Sequence, residues 1–339
     1  MSEPRAADGA GAGTGWADGP GAAHRAAVLG EALGEGTTVT AGVRLPGGAS
    51  RETWALDAVD PAGAVHELVL RLDSPGSPPG TGIGLAREAE LMRAAATAGV
   101  PVPRVLSAGD RHILMTRVAG ETIPRKILRD EAFAAVRPRL AARCGEILAA
   151  IHRMPLSCLP QDSVPGPRAV PDDPLATWRD LLDLTGQPHP VFELAFLRLA
   201  ASRPAGDRVT VVHGDFRNGN LIIGPDGVRA VLDWELAHPG DPLEDLGWLC
   251  VRSWRFGSPL PVGGFGEYGE LVEAYEQASG HRVDPDALRW WEIFGVLKWG
   301  VICVMQAIRH LSGGARSVEL AAIGRRVCET EWDLLRLLR

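Results

Sequence analysis

The chain has 339 residues, of which 45% are hydrophobic and 23% charged, and its formal net charge at pH 7 is −7. This length is enough to bury a sizeable core and favours two domains or lobes. The acidic total and the scattered arginines argue against an extended basic surface, so we expect no nucleic-acid partner.

The chain's start, its cysteines and its most apolar stretch favour a cytoplasmic protein. Residues 1–25 are rich in glycine and alanine and lack the apolar segment of a signal peptide, so we expect a flexible tail. Five cysteines without a CxxC spacing favour reduced thiols. The most apolar stretch, Ile293–Met305, is shorter than a membrane span and carries Lys298. We interpret it as a buried core helix and expect no membrane partner.

Residues 26–117 are predicted to form a β-rich first lobe. Residues 38–59 indicate strand, glycine turn and strand, and a further strand follows at Val65–Leu72. Helical periodicity then covers Gly84–Gly99, and a hairpin is expected around Asp110 and Arg111.

Residues 118–339 are predicted to form a larger, mainly helical lobe. A short β-rich segment is expected within it, at Val209–Trp234, and the end of the chain, Ser317–Leu338, is strongly periodic. Further helices are expected at Val136–Met154, near Pro174–Leu184 and near Val191–Ser202. A small β-rich lobe before a larger helical one is an α+β pattern.

Polar residues with two glycines are concentrated in HGDFRNGN, residues 213–220, directly after an apolar run. The following LIIG, PDG and VRAVLDWE predict strand, tight turn and strand. This hairpin would return Asp233 to the side of Asn220 and Asp215. One carboxylate and one amide oxygen are suitable ligands for Mg²⁺, which takes its remaining ligands from water and phosphate. Asp215 is left as a base or an orienting group.

The sequence HGD-x4-N followed by LDWE resembles the catalytic core of the aminoglycoside phosphotransferase and choline kinase superfamily. The longer run from His213 to Cys250 resembles the phosphotransferase domains fused to acyl-CoA dehydrogenases. The resemblance implies a two-lobed protein-kinase-like fold. It also implies that Asp215 is the catalytic base and that Asn220 and Asp233 hold the metal ions. ATP and Mg²⁺ are the cofactors expected from it.

The first lobe is expected to bind the nucleotide. LPGGASRET places Gly47, Gly48 and Ser50 in a loop whose backbone amides could approach phosphate. On the third strand, Arg71 stands where kinases use lysine. By the resemblance, backbone groups from Thr116 to Val118 contact the adenine.

The ion-pair partner of Arg71 should be a glutamate on the next helix, where Glu88 and Glu90 are the candidates. Glu88 shares a helical stripe with Leu85 and Met92, whereas Glu90 lies about 200° around the helix from Glu88. We therefore predict an Arg71–Glu88 pair, with Glu90 in solvent.

For several other side chains, the sequence indicates a role less specifically. Asp245 resembles a position that supports the catalytic loop, and a structural role is favoured for His152. Arg217 could neutralise transferring phosphate, orient the substrate or be a solvated loop residue. Together with Asn218, it is expected to face the acceptor. The tryptophan-rich stretch Trp290–Gly300 fits either a substrate pocket or core packing.

The predicted function is ATP-dependent transfer of the γ-phosphoryl group to a hydroxyl of a small molecule. The alternative is a kinase-like nucleotide-binding module without catalysis. It is favoured by Arg71, which stands where kinases use lysine. A metal-dependent phosphoesterase is a weaker alternative, because Asp110 and His112 lie about a hundred residues before the GD motif and no H-x-H follows.

Overall fold

The computed structural model describes Trp16 and residues 21–45, 51–73, 83–159, 173–206, 208–314 and 317–339. The chain divides into two compact units. The first comprises residues 1–89 and 103–117, and the second comprises residues 90–102 and 118–339.

The first unit is built on a five-stranded antiparallel sheet with the strand order β1-β2-β3-β5-β4. Alternating apolar residues of β2 and β3, among them Trp54, Leu56 and Leu70, are buried in its core. The strands are β1 Thr38–Leu45, β2 Arg51–Val59, β3 Val65–Asp73, β4 Val105–Gly109 and β5 His112–Thr116. The predicted strands and the hairpin at residues 110–111 are therefore present.

A helix that was not predicted, α1 (Ala22–Leu33), precedes the sheet. Its Val28 and Leu29 are 2% exposed and join the core beneath Trp54. Arg25 is also buried, lies over the Trp54 ring and donates to the carbonyl of Trp16. The expectation of a tail up to residue 25 is wrong for residues 22–25, because α1 buries its apolar face against the sheet.

The helix predicted at Gly84–Gly99 is α2 (Leu85–Thr97). Leu85, Glu88, Met92 and Ala95 are buried as the stripe requires, and Glu90 is exposed. The helical geometry therefore distinguished the two glutamates correctly.

The second unit is mostly helical and contains two small two-stranded sheets. The long helix α9 forms its main core together with its helical neighbours, and Trp290, Phe294 and Leu297 are buried there. The helices are α3 Pro124–Arg129, α4 Arg137–His152, α5 Pro174–Asp183, α6 Pro190–Ala201, α7 Leu243–Cys250, α8 Tyr268–Ser279, α9 Pro285–Leu311, α10 Val318–Gly324 and α11 Val327–Leu337. The sheets pair β6 (Thr210–Val212) with β9 (His238–Gly240) and β7 (Leu221–Gly224) with β8 (Gly227–Val231).

Helix α9 has 27 residues and is longer than the apolar stretch that predicted it. Within the described ranges, it is the helix whose length and composition alone would allow it to cross a membrane. Its most apolar window has a mean hydropathy of 1.4, and 67% of that window is buried inside the protein. Core helices pass the same test, so the packing favours the predicted role in the core.

Candidate active site

The HGDFRNGN segment forms a tight, mostly buried loop between β6 and β7. Gly214 has φ 81°, and a Cβ atom there would lie 2.6 Å from the carbonyl oxygen of Leu236. Gly219 also has a positive φ, of 120°. These two positions require glycine because L-residues are strained at such angles, and Gly214 has no room for a side chain. His213 and Asn218 are completely buried.

The Asp215 carboxylate is held at both oxygens. Its Oδ1 accepts hydrogen bonds from Trp248 Nε1 at 2.8 Å and from Arg217 Nε at 3.0 Å. Its Oδ2 accepts one bond, from Asn220 Nδ2 at 2.7 Å. A carboxylate oxygen has about two lone-pair sites, so Oδ2 is the atom that keeps room for a further proton donor.

Asn220 is oriented by two acceptors. Its Nδ2 donates to the main-chain oxygen of Asp215 at 3.0 Å as well as to the carboxylate. Because both partners only accept, the amide nitrogen must face them. The Oδ1 atom of Asn220 has no hydrogen-bond partner in the part of the chain that the structure describes, so this oxygen is available to a hard cation.

The hairpin returns the LDWE turn to the loop, as predicted. Leu232 donates its amide to the carbonyl oxygen of Asn220 at 2.8 Å. The next residue, Asp233, has φ 66°, an unusual conformation for a residue other than glycine. Strained backbone of this kind is often found at functional sites. One carboxylate and one amide oxygen at this turn fit an ion that takes its other ligands from phosphate and water.

A larger protein-only metal cluster is not indicated. No group of three or more His, Cys, Asp or Glu side chains that could hold a metal occurs within the described ranges.

Asp245 holds the loop through two backbone amides, as expected from the resemblance. Its Oδ2 accepts from the amide of His213 at 2.8 Å, and its Oδ1 accepts from the amide of Gly214 at 2.9 Å. Burial raises the pKa of Asp245, but the hydrogen bond from His152 and the amide of His213 are among the interactions that outweigh it and hold the pKa below its ordinary value.

The two buried histidines of the site hold neighbouring groups by hydrogen bonds. This is the structural role that was favoured for His152. His152 connects Asp245 to the hydroxyl of Tyr275 through its two ring nitrogens. His213 donates from Nε2 to the carbonyl of Leu232 and accepts the amide of Asp215 at Nδ1. Burial lowers the pKa of His213, which favours the neutral ring that this bonding pattern requires.

Arg217 and Asn218 were both expected to face the acceptor, but their contacts differ. Asn218 is completely buried and donates to the carbonyl of Gly263 at 2.7 Å, so it fixes the loop and does not face an acceptor. Arg217 lies over the ring of Trp254, with the guanidinium carbon 4.7 Å from the ring centroid, while it also binds Asp215. Trp248 was missed because nothing in its local sequence indicates a contact with a loop 33 residues earlier.

In the first unit, the predicted Arg71–Glu88 ion pair is present. Arg71 Nη1 binds Glu88 Oε1, and Glu88 is completely buried. A second arginine was missed: Arg51 Nη1 binds Glu88 Oε2 at 3.0 Å, and its Nε binds Asp73 at 3.2 Å. Each oxygen of Glu88 therefore faces one guanidinium group.

The remaining nucleotide-site predictions have mixed outcomes. Gly47, Gly48 and Ser50 lie outside the described residues. Thr116 uses its amide to donate to the carbonyl of Arg104 at 3.0 Å, because β5 is still paired there. That amide is engaged within the sheet, and the contact of a Thr116 backbone group with the adenine stays a prediction. Val118 stays a prediction.

A small antiparallel sheet, a mostly helical unit, an HGD loop and an LDWE turn together define a kinase-like phosphotransferase class. The chain belongs to the phosphotransferase enzyme family (APH), whose profile matches residues 42–291. The resemblance drawn from HGD-x4-N and LDWE is thus confirmed, and so is the two-lobed kinase-like fold class.

Similar proteins support both parts of the resemblance. The chain is 28% identical over 291 residues to acyl-CoA dehydrogenase family member 10 of Mus musculus. The match covers 80% of this chain and 27% of the mouse protein, so the chain spans about a quarter of that relative.

Two solved structures share the fold. An inferred aminoglycoside phosphotransferase from Ralstonia eutropha has a TM-score of 0.68 at 21% identity, covering 92% of this chain and 96% of its own. An aminoglycoside phosphotransferase in ternary complex with AMP-PNP and hygromycin B has a TM-score of 0.59 at 19% identity, with 92% and 96% covered.

Proposed function

We propose that this protein is an ATP- and Mg²⁺-dependent kinase that transfers the γ-phosphoryl group to a hydroxyl of a small molecule. The observation that carries the proposal is the Asp215 carboxylate, fixed at both oxygens beside an amide oxygen, that of Asn220, with no hydrogen-bond partner in the described ranges. Family membership and an ATP-analogue complex among its structural neighbours support it.

Asp215 acts as the base in this mechanism. The acceptor hydroxyl approaches Oδ2, which accepts a single bond from the described residues, and gives its proton to it. The acceptor oxygen forms a bond to the γ-phosphorus while the bond from that phosphorus to the bridging oxygen of ADP breaks. Base catalysis of this kind contributes about 10²–10⁴-fold, and positioning with charge neutralisation supplies most of the remainder.

Asn220 and Asp233 are the proposed ligands of Mg²⁺, through the free amide oxygen and the carboxylate. When bound there, the ion neutralises charge on the phosphate oxygens. Arg217 contributes a fixed positive charge beside Asp215, because stacking on Trp254 and the bond to Oδ1 restrain its guanidinium group. Arg71, held by Glu88, is the proposed contact to the nucleotide phosphates. Gly47, Gly48, Ser50 and Val118 complete the proposed nucleotide site on sequence grounds.

The acceptor pocket that we propose is a cavity of about 960 Å³ in the second unit, lined by five arginines. Two of its lining residues, Ser253 and Arg255, are the sequence neighbours of Trp254, on which Arg217 stacks. The arginines are Arg125, Arg129, Arg252, Arg255 and Arg326.

The charges of this cavity favour an acceptor that carries a carboxylate or phosphate. Three of the arginines have acidic partners: Arg252 with Asp333, Arg255 with Glu292 and Arg326 with Glu329. Arg125 and Arg129 stand one helical turn apart, are exposed and make no ion pair with any described residue. A polycationic aminoglycoside would meet like charges there, which disfavours its binding.

The test is ADP release from Mg-ATP in the presence of paired acceptors. Hydroxycarboxylic acids and phosphorylated alcohols are compared with uncharged alcohols and aminoglycosides, and Asp215→Asn is run with each. Acceptor-dependent ADP release by the wild type, lost in Asp215→Asn, supports the proposal. If Asp215→Asn retains turnover, Asp215 is not the base. A preference for aminoglycosides would contradict the proposed acceptor class.

A further inference from the structure

Lysine is rare in this protein. Of the 35 basic residues, only Lys126 and Lys298 are lysines, and the remainder are arginines. Lys126 is exposed on α3 and pairs with Glu121. Lys298 is 5% exposed in the middle of α9, the long core helix. Burying an ammonium group costs free energy unless the group is paired and hydrogen-bonded. The contacts of Lys298 therefore indicate its role.

The ammonium group of Lys298 has three N–H donors and three close partners, while the ring of Trp178 lies farther away, with its centroid at 5.8 Å. It donates to Glu244 Oε1 at 2.9 Å and to the carbonyl oxygen of Gly214 at 3.3 Å. It also lies over the ring of Trp248, 4.7 Å from the centroid, within the range of a cation–π contact. A compact ammonium satisfies partners in three directions, whereas the planar guanidinium of arginine presents its donors in one fixed fork.

Two of these partners, Gly214 and Trp248, are directly connected to Asp215. Gly214 is the residue before Asp215, and a Cβ atom there would lie 2.6 Å from the carbonyl oxygen of Leu236. Trp248 is the residue whose Nε1 donates to Asp215 Oδ1 at 2.8 Å. The ammonium of Lys298 thus fixes both the peptide that carries the carboxylate and the ring that holds one of its oxygens.

The third partner neutralises the charge of Lys298 without involving Asp215. Glu244 binds Lys298 with one oxygen and His238 Nε2 with the other, at 3.1 Å. Burial raises the pKa of Glu244, but the charges of Lys298 and His238 outweigh it and hold the pKa well below its ordinary value. His238 in turn binds the carbonyl of Leu236 through Nδ1 at 2.8 Å, which closes the network behind Gly214.

We propose that Lys298 is a positioning residue: its buried ammonium fixes the Gly214 carbonyl and the Trp248 ring, and through them the Asp215 carboxylate. The inference rests on the proposed function because it takes Asp215 as the base. It also explains why a lysine stands within an apolar helix that packing alone would fill with hydrophobic residues.

The test separates positioning from stability with three variants. Lys298→Met removes the charge and leaves Glu244 buried beside His238 alone. The double variant Lys298→Met with Glu244→Gln removes both charges of the pair, so it regains stability even if the single variant folds poorly. Lys126→Met, the other lysine of the chain, is the matched surface control. For each variant, Tm, kcat and the KM for ATP are measured.

We expect Lys298→Met to lower Tm and to lower kcat about 10- to 100-fold, the range for a lost hydrogen bond to a charged group. The KM for ATP should not change. In the double variant Tm should recover while kcat stays low, and Lys126→Met should match the wild type. Recovery of kcat together with Tm in the double variant would show a purely structural role and overturn the inference.

A second readout does not depend on activity. The indole signal of Trp248, assigned by its loss in Trp248→Phe among the ten tryptophans, is followed by nitrogen-15 NMR. It should shift in the double variant because the ammonium above the ring is gone. An unchanged Trp248 signal would overturn the inference. An inactive wild type with a shifted signal would instead contradict the proposed function and leave the coupling of Lys298 to Trp248 in place.

Discussion

Replacing Trp248 by phenylalanine tests whether the hold on Asp215 matters for catalysis. Phenylalanine keeps an aromatic ring at this buried position, where Trp248 is 3% exposed and the Trp254 ring lies 5.2 Å away between centroids. What is removed is the Nε1–H bond of 2.8 Å to Asp215 Oδ1. A hydrogen bond to a charged group contributes about 1.5–3 kcal/mol.

The lower end of that range applies here. The Asp215 side chain keeps 13% exposure, so water can partly replace the lost donor. Oδ1 also keeps the bond from Arg217 at 3.0 Å. A loss of about 1.5 kcal/mol in the transition state corresponds to roughly a tenfold fall in kcat. The KM for ATP should be unchanged, because the substitution does not touch the proposed nucleotide contacts.

Trp290→Phe is the matched control for this prediction. Trp290 is 4% exposed in the same core, but its Nε1 donates to the carbonyl of Leu199 at 2.9 Å. Both variants should lose similar free energy of unfolding in urea titrations, and only Trp248→Phe should lose kcat in steady-state ADP release. Equal kcat values for the two variants would refute the argument that Trp248 orients Asp215.

Three further predictions follow from the buried charges and the arginine-lined cavity. Glu88→Gln should raise the KM for ATP at least tenfold, since it removes the charge that holds both Arg71 and Arg51, whereas Glu90→Gln should match the wild type in the same assay. Asp245→Asn should lower the free energy of unfolding at neutral pH by about 1.5–3 kcal/mol. Because the pKa of Asp245 is lowered from 3.8 in the folded protein, its contribution is present above that value and is lost as the pH falls, so the two unfolding curves should converge in acid. Replacing Arg125 and Arg129 together by glutamine should raise the KM of an anionic acceptor about tenfold or more at unchanged KM for ATP, and an equal rise for an uncharged acceptor would contradict the charge argument.

The local parts of the site could be predicted from the sequence. The hairpin between Asn220 and Asp233 follows from two short apolar runs around a turn, and such a turn fixes which residues return to the start. The choice of Glu88 over Glu90 follows from helical periodicity alone. In both cases the partners are close in sequence or share one regular element.

The parts that were missed depend on contacts across the chain. Arg51 reaches Glu88 over 37 residues, Trp248 reaches Asp215 over 33, and Lys298 reaches Gly214 over 84. No local pattern marks an arginine on β2 or a tryptophan on α7 as a neighbour of a carboxylate. The rarity of lysine in an arginine-rich chain was a usable signal for Lys298, and its place in an apolar helix was a second one.

Helix α1 was missed for a different reason. It follows a segment rich in glycine and alanine, and its apolar face is narrow, formed by Val28 and Leu29 with the partly buried Ala32 and Leu33. Its place is decided by the surface it covers, since Trp54 and Leu56 belong to the same buried cluster. The tertiary partner therefore overrides a weak local preference.

The most direct test of the central claim is phosphoryl transfer followed by phosphorus NMR, with wild-type protein and Asp215→Asn in parallel. The substrates are Mg-ATP and the best acceptor from the ADP-release panel. We predict a new phosphate ester in the wild-type reaction, equal in amount to the ADP formed, and none above background in the variant, which should still bind Mg-ATP. Formation of the same ester by Asp215→Asn at the wild-type rate would contradict the account.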